Sequence, residues 1–229
     1  IEGQTIKFSN QIMFEEFNIT NKGFFSYVQQ TSNWLESLGI EPKQRVIISE
    51  IEYPQSIILL YSIWNLGSSV VLPSTLDLDE VKNKSEARHF ISLDNNLFQK
   101  IEKFSKNFEP KYKALLSDEA ILCFEKVAGI ILSHYNLLVN ANGLQNALGI
   151  KNRTRFYCNL PFGSKCWVTF KSILPVYCGC IYDSLKPELT IGISGSNYNL
   201  RKDIRNIKEF SDNDIAICIE NTTALTVGK

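Results

Sequence analysis

Net charge is the first thing this sequence lacks. Lysine plus arginine and aspartate plus glutamate each number 24, so the formal charge at neutral pH is zero. Charge-driven binding to nucleic acid or to an anionic membrane surface needs a basic excess, and neither is indicated. Histidine is scarce too, with only His89 and His134 in the chain. No apolar run approaches the roughly 18 residues of a membrane-spanning helix. The opening residues, IEGQTIKFSN, have neither the basic start nor the apolar centre of a secretory signal. Internal repeats, low-complexity tracts and an evident interdomain linker are also missing.

What is present is an ordinary globular composition, 44% hydrophobic and 21% charged, over 229 residues. That length suits one large domain or two small ones and is ample for a core. Six cysteines, Cys123, Cys158, Cys166, Cys178, Cys180 and Cys218, fall in the second half and mostly inside apolar stretches. The Cys178-Gly179-Cys180 spacing is too tight for an ordinary disulfide or a zinc knuckle. The pattern reads as reduced, buried thiols in a cytoplasmic protein, since free cysteine behaves as a small core residue.

Strand and helix signals alternate along the chain. Phe24–Leu38 carries an apolar stripe at helical spacing and is followed by Gly39, a residue suited to a helix C-terminus. Arg45–Ser49 reads as a short strand, Tyr53–Leu66 as a helix stopped by Gly67, and Ser68–Pro73 as a second strand. The polar stretch Leu76–Pro110 predicts a solvated helix, a strand over His89–Ser92 and a helix over Leu97–Lys106. Such alternation predicts an α/β fold of mostly parallel sheets flanked by helices.

The stretch Ala120–Ile150 organises the rest. Ala120–Phe124 and Val127–Leu132 are apolar runs separated by little more than Glu125 and Lys126. Ser133 then stands as a helix N-cap, its hydroxyl able to accept from a first-turn N–H, ahead of Leu137, Leu138, Leu144 and Leu148 at helical spacing. Two-residue hairpin turns favour Asn-Gly, Asp-Gly or glycine pairs because positive φ is needed there. Glu-Lys offers neither glycine nor asparagine, so the sequence predicts an interruption between Phe124 and Glu125 instead of a tight hairpin.

Gly129-Ile130-Ile131-Leu132-Ser133-His134-Tyr135-Asn136-Leu137 resembles the Gly-Val-x-x-Ser/Thr-His-x-Asn-Leu segment of AMP-forming adenylating enzymes, the family of acyl-CoA synthetases, aryl-CoA ligases and adenylation domains. Trp34-Leu35-x-x-Leu38-Gly39-Ile40-x-Pro42-Lys43-x-Arg45-Val46 resembles the family's opening block, with Gln44 where aspartate is usual. Leu66–Pro73 and Leu174–Gly179 resemble two further scaffold blocks. With Phe25-Ser26-Tyr27 ahead of these blocks and matches in 191–197 and 215–224 after them, the resemblance spans Phe25 to Thr223 and implies one adenylate-forming-type large domain over residues 1–229, incomplete, with sub-blocks of about 1–112 and 113–229. The family's small C-terminal domain has no counterpart among these blocks.

The resemblance implies ATP and Mg2+ as cofactors and a carboxylic acid plus coenzyme A or a carrier-protein thiol as partners. The implied reaction activates the acid as an acyl-adenylate and transfers the acyl group to the thiol. Ser194, Gly195, Ser196 and Asn197 match the family's turn against the adenine, and Asn221, Thr222 and Thr223 match the segment carrying its Thr-Glu pair. Phe162, Ser164 and Trp167 stand where members line the acyl pocket. On the residues alone, Ser194–Asn197 is equally an ordinary strand-to-helix turn, with Asn197 or Asn199 capping a helix over Leu200–Phe210.

Three departures bear on chemistry. The family's Ser/Thr/Gly loop, whose backbone N–H groups converge on ATP phosphates, is missing between Phe124 and Gly129. Thr223 replaces the glutamate that helps hold magnesium, and an uncharged hydroxyl is a poor ligand for a hard cation. No catalytic residue is identified. The expectation is therefore divided between an acid–thiol ligase and a degenerate relative that binds a ligand or a protein without chemistry. An unrelated α/β domain of flavodoxin-like kind is a third reading.

Overall fold

The computed structural model describes residues 2–73, 76–93, 96–125, 128–163, 166–192, 195–201, 214–217 and 225–227. Two compact units divide the chain. The first contains Ile1–Gln11, Ile19–Tyr135 and Phe162–Ser164, and the second Ile12–Asn18, Asn136–Pro161 and Lys165–Lys229.

The chain opens with α1 (Glu2–Phe8), crosses to the second unit for β1 (Ile12–Phe14) and a 3-10 turn, and returns as β2 (Ile19–Thr20) and α2 (Asn21–Ser37). Thr20 caps α2 by accepting from the Gly23 N–H at 3.0 Å. There follow β3 (Arg45–Ile48), α3 (Gln55–Asn65), β4 (Ser69–Leu72), α4 (Leu78–Ser85), β5 (His89–Ile91), α5 (Leu97–Ile101), β6 (Glu119–Glu125) and β7 (Ala128–Ser133). Their sheet has the order β5-β3-β4-β6-β7, parallel except for the β6–β7 pair. Val46–Ile48, Val70–Leu72, Ile121–Phe124 and Ile130–Leu132 all lie in strands, as their short apolar runs predict. Ile47, Val71, Val81, Leu122 and Phe124 form one buried cluster that seats α4 on the sheet.

Helix α5 is shorter than its sequence suggests. The Gln30 side-chain amide donates to the carbonyls of Ile101 and Phe104 at 3.2 and 3.1 Å. Those carbonyls are met from outside, and the chain leaves the helix at Glu102. The expected interruption before Glu125 is also corrected. Strand β6 runs unbroken through Phe124 and Glu125 and pairs antiparallel with β7 as far as Glu125 and Ala128. Only Lys126 and Val127 stand between the last paired residues. Gly129 lies opposite Phe124, where an added Cβ would come within 3.2 Å of the ring and 3.0 Å of Leu122. A bare backbone at that place lets the hairpin close over the Phe124 ring.

Helix α6 (His134–Leu148) starts directly after Ser133. Its first N–H groups, from His134 and Tyr135, donate to the Asp118 and Leu116 carbonyls at 3.2 and 2.8 Å, so the start of the helix is satisfied from outside. The second unit continues with β8 (Arg155–Cys158), a π-helical segment Trp167–Ile173, α7 (Leu174–Cys178), β9 (Ile181–Tyr182), β10 (Leu189–Gly192), β11 (Tyr198–Arg201), β12 (Asp214–Ile217) and β13 (Leu225–Val227). Its sheet includes the order β13-β12-β11-β10-β8-β9-β1, parallel apart from β12–β13. The helix expected from Leu200 is corrected at its start: Tyr198–Arg201 pairs with both β10 and β12. The apolar helix expected over Trp167–Tyr177 is present, begun by the wider π turn.

Candidate functional site

Ligands in open parallel sheets usually sit at the carboxyl ends of the strands. In the second unit two parallel neighbours, β8 and β10, end side by side, with Cys158 paired to Ile191. Asn159 follows β8 and donates its N–H to the Ile191 carbonyl at 3.3 Å. Gly192 ends β10 under the side chains of Asn159 and Ser196. A Cβ built on Gly192 would lie 2.6 Å from Ser196 Oγ and 2.8 Å from the Asn159 side-chain carbon. One amide, one hydroxyl and a bare stretch of backbone therefore converge at this edge. The set can hydrogen-bond a neutral heterocycle and pack against its face. The side chains of Asn159 and Ser196 are neutral, an amide and a hydroxyl.

The residues singled out in the sequence are partly gathered here. Ser196 sits at Gly192, and Gly195 adopts the left-handed conformation, φ 70°, that favours glycine. Asn197 turns the other way. Its Oδ1 accepts from the Thr190 N–H at 2.7 Å and from Thr190 Oγ1 at 3.0 Å, and its own N–H donates to Thr190 Oγ1 at 2.7 Å. Asn199 receives the Ser196 N–H at 3.3 Å. Ser194, Asn221, Thr222, Thr223 and Ser164 lie outside the described residues. Phe162 is half-buried, and Trp167 is buried at the start of the π-helical segment. Asn159 and Gly192 escaped the sequence reading. Their signal was the Asn-Leu-Pro that ends one strand and a glycine at the end of another, neither of them specific until the two strands pair.

The five described cysteines are buried thiols outside any disulfide. Burial pushes the Cys158 thiol up to about 12, and a hydrogen bond to Cys178 together with burial holds the proton on Cys180. Such thiols are core residues and poor nucleophiles. Lys171 has its pKa lowered by burial.

The densest charge in the first unit lies at the opposite, amino edge of its sheet. Arg45, at the start of β3, forms a two-pronged pair with Glu119 at the start of β6, both contacts 2.7 Å. Ser69, at the start of β4, donates to the same carboxylate at 2.8 Å. Burial works against the Glu119 charge, but the Arg45 and Ser69 hydrogen bonds outweigh it and leave the pKa below its ordinary value. Lys43 pairs with Asp118 at 2.6 Å and lies 4.2 Å from the centre of the Tyr112 ring. A cavity of about 440 Å3 beside these residues is lined by both signs of charge. Asp118 and Glu119 each have their cation, and Glu119 with Arg45 and Ser69 ties three strand starts together; Glu86 and Arg88 complete the charged lining of the cavity. Among the described residues no group of three or more His, Cys, Asp or Glu side chains could hold a metal ion.

No protein-family model and no curated protein matches this sequence. Solved structures match the fold. A benzoate CoA ligase from Burkholderia xenovorans LB400 superposes with a TM-score of 0.73 at 13% identity, covering 83% of this chain and 48% of that one. The anthranilate CoA ligase AuaEII, in complex with anthranoyl-AMP, gives 0.68 at 14% identity, covering 83% and 48%. The N-terminal domain of FACL13 from Mycobacterium tuberculosis, inhibitor bound, gives 0.67 at 14% identity, covering 80% and 56%. The chain thus spans about half the length of the solved structures it matches. Its fold is that of the large N-terminal domain of acyl- and aryl-CoA ligases, and at these identities the likeness is one of fold.

Proposed function

We propose that this chain is a degenerate relative of the AMP-forming acid–thiol ligases, one that binds the adenosine portion of a ligand and does not itself form adenylates. The observation that carries this reading is the β6–β7 hairpin. Adenylation depends on positioning the triphosphate and neutralising its charge through backbone amides, cations and metal. Where the resemblance places a phosphate-cradling loop, two antiparallel strands instead pair until only two residues separate them. Thr223, in place of a carboxylate, removes the implied magnesium ligand as well. Asn159, Ser196 and the bare backbone of Gly192 at the β8–β10 edge offer neutral groups suited to a base or a ribose.

Calorimetric titration with adenosine, AMP and ATP, each with and without Mg2+, tests the proposal. The three should bind within a few-fold of one another, with no gain from magnesium. Mg2+-ATP binding tenfold more tightly than adenosine would mean that a phosphate site exists and would overturn it.

A second reading is the intact chemistry: a cytoplasmic ligase using ATP and Mg2+ to activate a carboxylic acid and pass it to coenzyme A or a carrier-protein thiol. The extent of the fold match favours it, together with the anthranoyl-AMP bound in one of the matching structures.

A further inference from the structure

The residues from Glu102 to Asp118 run from α5 to β6 without helix or strand. An irregular stretch of that length inside a compact unit is uncommon, and such stretches are often functional. This one is tied down. Gln29 Oε1 accepts from the Phe108 N–H at 2.9 Å, and Asn33 Nδ2 donates to the Ser105 and Asn107 carbonyls, both at 2.9 Å. The stretch is therefore held against α2 by the Gln29 and Asn33 side chains.

Between it and helices α2 and α3 a groove of about 500 Å3 stays open. Five aromatic residues form its walls: Phe25, Tyr61, Trp64, Phe108 and Tyr112. Trp64 has already given its indole N–H to the Ala120 carbonyl at 2.8 Å and meets Tyr61 edge to face at 5.2 Å, so it is fixed in place. The lining contains one charged residue, the exposed Lys113, and no carboxylate. Nearby cations are neutralised, Lys111 by Glu36 at 3.0 Å and Lys43 by Asp118. Lys113 forms no ion pair among the described residues.

Small-molecule sites are typically concave, mostly apolar, of a few hundred Å3, with few polar groups to set orientation. Aromatic walls around open space also forgo the close contacts that a flat ring would restore. We propose that this groove binds a flat aromatic anion, its ring against the aromatic walls and its carboxylate on Lys113. The site lies wholly within the first unit and does not rest on the adenosine-binding reading.

The probe is 1-naphthoate, titrated calorimetrically into the full chain, with the neutral 1-naphthalenemethanol as its control. One saturable site is expected, with the alcohol at least tenfold weaker. Ala114→Trp, which fills the groove from an exposed position, and Lys113→Glu should each weaken naphthoate at least tenfold while the melting temperature stays within a few degrees. Absence of saturable binding would overturn the proposal, as would naphthoate affinity unchanged in Ala114→Trp, which would place the site elsewhere. If Ala114→Trp does not fold, Lys113→Glu and the alcohol decide alone, and undiminished affinity in both refutes the assignment. A wild-type dimer that Ala114→Trp renders monomeric would mean that a second copy fills the groove, and the small-molecule assignment would fall.

Discussion

Asp118 shows how much a single residue can gather. Its carboxylate accepts from Lys43 Nζ at 2.6 Å, and from the Leu115 N–H and the Tyr112 hydroxyl at 2.7 Å each. The Lys43 hydrogen bond first, then the other two, bring its pKa down from 3.8 to about 2. A carboxyl whose folded pKa is depressed lends stability above its unfolded pKa and loses it as the pH falls through the folded one. Asp118→Asn should therefore be less stable than the parent at pH 6, with the gap narrowing between pH 4 and pH 2. Denaturant midpoints across that range test this; a gap independent of pH would contradict it. His134 works in the same direction. Burial lowers its pKa while Asp118 opposes the shift, and among the described residues its buried Nε2 has no hydrogen-bond partner, so acidification puts charge where no acceptor meets it. None of these contacts was legible in the sequence. Asp118 and Lys43 are far apart in the chain, and only the sheet that aligns strand starts brings them together.

At the scale of elements the sequence was far more readable. The apolar runs that became β3, β4, β6 and β7 are short, rich in branched residues and bounded by turn signals, and those features survive any tertiary context. Ends were less readable when a distant side chain set them, as Gln30 does for α5. Tyr198–Arg201 became strand because β10 and β12 needed a neighbour, a demand that local propensity does not express. The hairpin turn was misjudged for a related reason. Turn preferences describe an isolated hairpin, whereas β6 is already fixed by β4 along Ile121–Cys123.

Gly192 allows a test at this level. The atoms that an alanine Cβ would meet are the ends of the Asn159 and Ser196 side chains, the first exposed and the second half-buried. Both can swing away, and removing a glycine from a strand returns about 0.5–1 kcal/mol. Gly192→Ala should thus leave the melting temperature within a few degrees of the parent while weakening adenosine severalfold, because the two converging side chains are displaced. Unchanged adenosine binding would remove the β8–β10 edge as the site.

For the whole molecule, fold and chemistry are separate questions. The two mostly parallel sheets match acyl- and aryl-CoA ligases over about four-fifths of this chain, which the scaffold blocks in the sequence had already suggested. A fold can persist on buried apolar contacts after the groups that handle phosphate are gone, because those groups contribute little to the core. The fold is that of the ligase large domain, and the proposed function adds that the adenylating chemistry has been lost. The most direct test is exchange of labelled pyrophosphate into ATP, run with the full chain, Mg2+ and a panel of aromatic and aliphatic acids. No acid should raise incorporation above the enzyme-free background. Sustained, acid-dependent incorporation that rises with protein concentration would contradict the account and make the chain a working adenylate-forming enzyme.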